Sequence, residues 1–244
     1  MIRSALSLLP LLLLTGPAMA DRQFELAPLF IWGTSLSGDA TLGSRDAPLD
    51  LDFRDDVLDN LDGAYTLRLE GPVGPVALFA EYQYFDLSPA TRINNLEARV
   101  DFESTLFELG VAKTLGNSGT TRWDLLGGAR YLDHDVRVSA SFGDGGRIPA
   151  TNGGDDWWQG FVGGRVWHQL SDRWQLSGRA DLGYGGSDNS SVNLQALAKF
   201  RFAQWGNVFL GYRAFWVDYE GGDSNLYRFD ATLQGPVLGL SFRF

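Results

Sequence analysis

The chain of 244 residues has no cysteine, two histidines, two methionines, and only 20 Lys+Arg against 30 Asp+Glu. Without cysteine there is no disulfide scaffold, no thiol nucleophile and no thiolate zinc site. The deficit of basic side chains, a formal net charge of −10, argues against a nucleic-acid binder, which meets phosphates with a basic stripe. No segment after the N-terminal region reaches about 18 consecutive apolar residues, so no helix is expected to cross a membrane. Charged residues are scarce, 20% of the chain, while aromatics reach 13%. Glycine, 30 of 244 residues, exceeds its usual share of about 7% without the period of collagen. This profile is odd for a cytosolic enzyme and ordinary for a sheet that lives in lipid.

The N-terminus has the three parts of a secretory signal. Arg3 supplies positive charge, and Ala5 to Leu14 is apolar except for Ser7 and Pro10. Gly16 and Pro17 then precede Ala18-Met19-Ala20, a small-x-small cleavage site. Residues 1–20 are expected to be removed, leaving a single barrel domain at 21–244. The mature chain would carry 19 basic and 30 acidic side chains, a net charge of −11. The apolar run is too short for a helix to span about 30 Å of hydrocarbon.

Periodicity separates the periplasm, the exterior and the outer membrane. Trp174, Leu176, Gly178, Ala180, Leu182 and Tyr184 alternate with Arg173, Gln175, Ser177, Arg179, Asp181 and Gly183. Val192, Leu194, Ala196, Ala198, Phe200 and Phe202 do the same against Asn193, Gln195, Lys199 and Arg201. A period of two gives a strand one apolar and one polar face. Each run exceeds the about 9–11 residues that cross a bilayer at a tilt. Trp123, Trp158, Trp174, Tyr184, Trp205 and Trp216 fall near strand ends, where interfacial girdles belong. Ten strands result, at 23–35, 62–71, 75–87, 97–115, 121–142, 156–170, 173–186, 191–204, 208–219 and 226–244, with eight as the competing count. Short connections alternate with longer ones at 36–61, 88–96, 143–155, 187–190 and 220–225. The fold expected is all-β, a closed antiparallel transmembrane barrel with both termini periplasmic.

The last strand carries Leu238, Leu240, Phe242 and Phe244 at alternate positions. It resembles the terminal strand of Gram-negative outer-membrane barrels, whose final aromatic residue is part of the signal read by the barrel-assembly machinery. Together with Asp52–Asp62 before a hairpin and Gly235-Pro236, it makes the chain similar to small proteins of the outer-membrane protein A/W-like barrel superfamily. That resemblance implies a fold, outer-membrane lipids and lipopolysaccharide as surroundings, and the assembly machinery as a partner in biogenesis. It implies no activity.

With the apolar alternates facing lipid, Glu25, Arg68, Glu70, Glu81, Glu108, Arg130, Arg165, Arg179, Asp181, Lys199, Arg201 and Arg213 face inward. An Arg or Lys on the lipid face near the midplane would cost about 2–4 kcal/mol, so this phase is expected energetically. Acidic residues dominate the early strands and basic ones the later strands. Two readings use the same residues: a paired polar core that fills the lumen, and a narrow pore with opposed charged walls.

Outside the strands, Asp46, Asp50, Asp52, Asp55, Asp56, Asp59 and Asp62 crowd one outer loop. Their spacing matches no calcium loop; a solvated face, or a short helix using Val57, Leu58 and Leu61, is expected instead. His134, flanked by Asp133 and Asp135, superficially resembles the Asp–His pair of the ten-stranded omptin proteases. Adjacent residues on a strand point to opposite faces, however, and the omptin spacing is absent. His168 falls in the lipid-facing phase. No G-x-S-x-G elbow exists, and Gly183-Tyr184-Gly185-Gly186 opens no helix that would hold a phosphate. The expectation is a barrel with no catalytic residues, no metal and no cofactor. It serves envelope structure or surface interaction, or alternatively admits small polar or ionic solutes; the sequence leaves its oligomeric state open.

Overall fold

A computed structural model describes residues 23–43, 45–54, 60–88, 90–93, 96–142, 147–221 and 226–244. The strands are β1 (Glu25–Trp32), β2 (Ser35–Leu42), β3 (Arg45–Leu51), β4 (Leu61–Val73), β5 (Val76–Leu87), β6 (Ala90–Ile93) and β7 (Leu96–Ser118). They continue as β8 (Thr121–Phe142), β9 (Arg147–Gln169), β10 (Trp174–Gly186), β11 (Asn189–Ala203), β12 (Gly206–Gly221) and β13 (Tyr227–Arg243). Ten of them, β1-β4-β5-β7-β8-β9-β10-β11-β12-β13, form one antiparallel wall that closes where β13 pairs with β1. The ten-strand count holds, and the eight-strand alternative does not.

Alternation sets which side chains leave the wall. Along β13, Leu238 and Leu240 are about half exposed while Val237, Gly239 and Ser241 between and beside them are buried. Val162, Leu182, Leu194 and Leu210 continue the same exposed apolar belt, which only lipid covers at no cost. Paired rings mark its two edges. Tyr65 stacks on Tyr84 at 6.0 Å and Tyr131 packs on Trp158 at 5.0 Å toward the long loops. Trp174 meets Phe200 at 4.9 Å and Trp205 meets Phe242 at 5.9 Å near the short turns.

The structure corrects three of the expected loops. Residues 36–61 contain a hairpin: β2 turns at Gly43, φ 63°, into β3. Part of 88–96 forms β6, paired with β7, and 143–155 contains the first residues of β9, which begins at Arg147. These segments read as loops because they rise above the lipid, where neither face needs to be apolar. Backbone pairing, with Leu36 buried in the apolar interior and Leu49 and Leu51 packed against it, holds β2 and β3 as strands. Two successive strands share one edge of β13: β1 pairs with Val237–Arg243, and β2 with Tyr227–Gln234. The break lies at Gly33, whose carbonyl oxygen would be 1.6 Å from a Cβ placed on Gly235. Leu61 opens β4 rather than a mouth helix; Val57 and Leu58 lie outside the described residues, as do residues 1–22 with the expected signal.

Inside, three layers follow one another along the barrel. Under the long loops lies an apolar layer that includes Phe102, Leu132, Trp157, Phe215, Tyr227 and Phe229. Charged side chains fill the middle. Toward the short turns the lumen widens into a cavity of about 450 Å³.

Candidate functional site: the charged lumen

The middle layer is a set of ion pairs between distant strands. Arg130 on β8 is fully buried; its Nε donates to Glu108 Oε1 at 2.7 Å and its Nη1 to Ser191 Oγ at 2.8 Å. Its Nη2 donates to Asp181 Oδ1 at 2.7 Å. Arg179 Nε donates to Asp181 Oδ2 at 2.6 Å, and its Nη2 is 3.0 Å from Glu108 Oε2. Arg213 Nε donates to Asn193 Oδ1 at 2.9 Å and its Nη1 to Glu81 Oε1 at 2.8 Å. Arg68 reaches Glu81 at 2.5 Å and Glu70 at 2.9 Å. Arg165 donates to both oxygens of Glu70, at 2.8 and 2.6 Å, and to Asp124 at 3.1 Å.

Five arginines thus meet five carboxylates (Glu70, Glu81, Glu108, Asp124 and Asp181), with no net charge. Rings separate the guanidiniums. Arg130 lies 4.8 Å from the Phe215 centroid and 5.1 Å from that of Phe161, and Arg68 and Arg179 both sit over Phe79. Charge pairs in such surroundings hold only when their remaining donors and acceptors are met. Asn193 and Ser191 meet several here. Room for the head of Arg130 comes from Gly183, where a Cβ would stand 3.0 Å from its Nη1 and 2.4 Å from Ser191 Oγ.

Of the twelve expected inward charges, nine belong to this network. Lys199 and Glu25 pair with each other nearer the short turns, where Arg243 also approaches Glu25 at 3.4 Å. Arg201 faces the lumen but has no carboxylate partner among the described residues, and its buried Nε meets no acceptor. Asp124 is the main residue the sequence reading missed. It also receives Thr114 Oγ1 at 2.9 Å and the Trp167 indole at 3.0 Å. It lies in phase with Arg130 on the same strand, so strict alternation would have found it.

His134 is sealed in the apolar layer. Its Nδ1 is 2.9 Å from the Tyr227 hydroxyl, and Phe229, Trp157 and Phe102 surround it at 4.6–5.2 Å. It stands beyond the Tyr131–Trp158 girdle, outside the lipid-spanning part, and burial pushes its pKa well below the ordinary value. A neutral imidazole packed among rings is the result. His168, on the outward face, meets Thr121 Oγ1 at 2.8 Å. At the chain end Phe244 stacks on Phe24 at 6.1 Å, and their backbones exchange hydrogen bonds of 2.9 and 3.0 Å. Of the acidic loop, Asp50 and Asp52 are exposed, while Asp55, Asp56 and Asp59 lie outside the described residues.

An apolar belt, two rings of aromatics and a closed hydrogen-bonded wall define a transmembrane β-barrel. The chain is a closed ten-stranded antiparallel barrel, a fold it shares with outer-membrane barrels of Gram-negative bacteria. The outer membrane protease OmpT from Escherichia coli is similar at 12% identity and TM-score 0.50, over 91% of this chain and 96% of that one. The translocator domain of the autotransporter NalP from Neisseria meningitidis gives 14% and 0.44, over 91% and 88%. Neisserial surface protein A gives 11% and 0.33, over 91% and 97%. No family model and no curated protein matches the chain. At these identities the likeness concerns the fold alone, and no enzymatic activity is indicated.

Proposed function

We propose that the chain is a non-catalytic integral barrel of the outer membrane, serving envelope structure or surface interaction through the half that rises above the lipid. The observation that carries this reading is the filled lumen. The neutral network lies under an apolar layer, and a void within that layer, lined by Leu132, Phe215 and Phe229 among others, is about 20 Å³, room for at most one water. In this reading the short turns and both termini face the periplasm, residues 1–20 are removed after Ala20, and Leu238, Leu240, Phe242 and Phe244 address the assembly machinery. Lipids and lipopolysaccharide surround the wall.

The cavity of about 450 Å³ toward the short turns favours a second reading, a narrow diffusion channel for small polar or ionic solutes. Planar-bilayer recording of refolded protein separates the two. The filled-lumen reading expects no steady single-channel current, and currents with reproducible ion selectivity favour the channel.

A further inference from the structure

We propose that the cavity at the short-turn end is a binding site for a small organic anion, a carboxylate with a compact apolar body. The inference goes beyond the structural role proposed above, and needs only the folded barrel. Its first support is charge. The network above is neutral, but the cavity beneath it is also lined by Arg122, Lys199 and Arg243 against one further carboxylate, Glu25. Arg122 leans on Asp124, which Arg165 already uses, and Lys199 and Arg243 share Glu25. The cavity therefore carries an excess of two positive charges in a chain whose net charge is −10. A concave site with low-dielectric walls focuses such a field and concentrates counter-ions.

The second support is that donors are left over. Ser177 and Gln195, which line the cavity, make no side-chain hydrogen bond among the described residues. Both are half-buried with their polar ends unpaired, and an anion entering here meets them together with Lys199. The third support is the division of the walls. On one side Arg122, Arg165 and Lys199 gather round the Trp167 ring at 4.7–5.4 Å. On the other, Ala27, Phe30, Phe209 and Val237 form a small apolar cluster. A bare inorganic ion would use the first wall and leave the second dry. An amphiphilic anion uses both, and the volume of about 450 Å³ falls in the range of small-molecule sites.

The test is calorimetric titration of the refolded barrel in nanodiscs of zwitterionic lipid, with empty nanodiscs subtracted. The probes are hexanoate, its neutral amide hexanamide, and inorganic phosphate. Saturable binding of hexanoate at least tenfold tighter than either other probe is expected. Binding should weaken about tenfold in Lys199→Gln, whose partner Glu25 keeps Arg243, and severalfold in Gln195→Leu, which breaks no ion pair. Both variants should retain heat-modifiable migration on gels, which shows that the barrel is intact. Three results overturn the proposal: equal binding of hexanoate and hexanamide, phosphate binding as tight as hexanoate, or hexanoate binding unmoved by Lys199→Gln in an intact barrel.

Discussion

Arg130→Met tests the filled lumen most directly. The substitution keeps much of the aliphatic volume against Phe161 and Phe215 but removes one positive charge from a neutral set. Three side-chain hydrogen bonds are lost, to Glu108, Ser191 and Asp181, and each bond between charged groups is worth about 1.5–3 kcal/mol. The remaining arginines recover part of this. Glu108 keeps Arg179 at 3.0 Å and Asp181 keeps Arg179 at 2.6 Å. What remains is one uncompensated negative charge in a layer where Glu108 and Arg213 are at most 1% exposed. Leaving such a charge buried costs about 3–5 kcal/mol.

Urea unfolding from phospholipid vesicles, followed by heat-modifiable migration, reads the change in midpoint at constant slope. Adding Glu108→Gln to Arg130→Met restores neutrality, so the double variant should lose less than the two single losses added together. Residues in direct contact couple by about 0.5–3 kcal/mol. A loss below about 1 kcal/mol in Arg130→Met, the value for solvated pairs, with additive singles, would refute the dry network and return the lumen to water.

Further predictions concern closure, assembly and the apolar layer. Gly235→Val should prevent recovery of the heat-modifiable form, because the side chain enters space held by the Gly33 carbonyl at 1.6 Å from the Cβ; wild-type yield would show that the seam between β1 and β13 adapts. Replacing Phe242 and Phe244 by Ser should reduce folded barrel in outer-membrane fractions, and a normal yield there would mean that the chain's ending is incidental to assembly. For His134 the lowered folded-state pKa sets the sign. The unfolded chain takes up a proton below about pH 6.5 while the native imidazole does not, so stability falls with pH by up to about 1.4 kcal/mol per unit. His134→Phe should flatten that slope between about pH 6.5 and 5, and an unchanged slope would place the titration elsewhere.

The lipid-spanning part of the wall was legible because lipid enforces a simple rule. Leu182 or Leu194 outward and Asp181 or Asn193 inward follow from alternation plus the cost of charge in hydrocarbon. Above the girdles that rule lapses. Ser35–Leu42 contains Gly38 and Asp39 and shows no lipid-facing stripe, yet it is a strand because β13 extends beside it. No local pattern announces a partner nearly two hundred residues away. Asp124 was missed for another reason: the eye stops at Trp123, although the residue after an outward girdle tryptophan must face in.

Pairing inside the lumen is a different kind of information. Glu70 and Arg165 are 95 residues apart, and whether their heads meet depends on strand tilt and stagger, which fix the height of each side chain around the ring. The sign of the charge imbalance needs no such geometry. The inward set read from the sequence holds seven cations and five carboxylates. Asp124, Arg122 and Arg243 bring it to nine and six, with the surplus gathered at the short-turn end. A barrel meant only to be filled has no use for that surplus. Pairing like that of Arg130 and Glu108 throughout would serve it better, which makes the cationic layer, and not the neutral one above it, the part of the lumen that calls for a ligand.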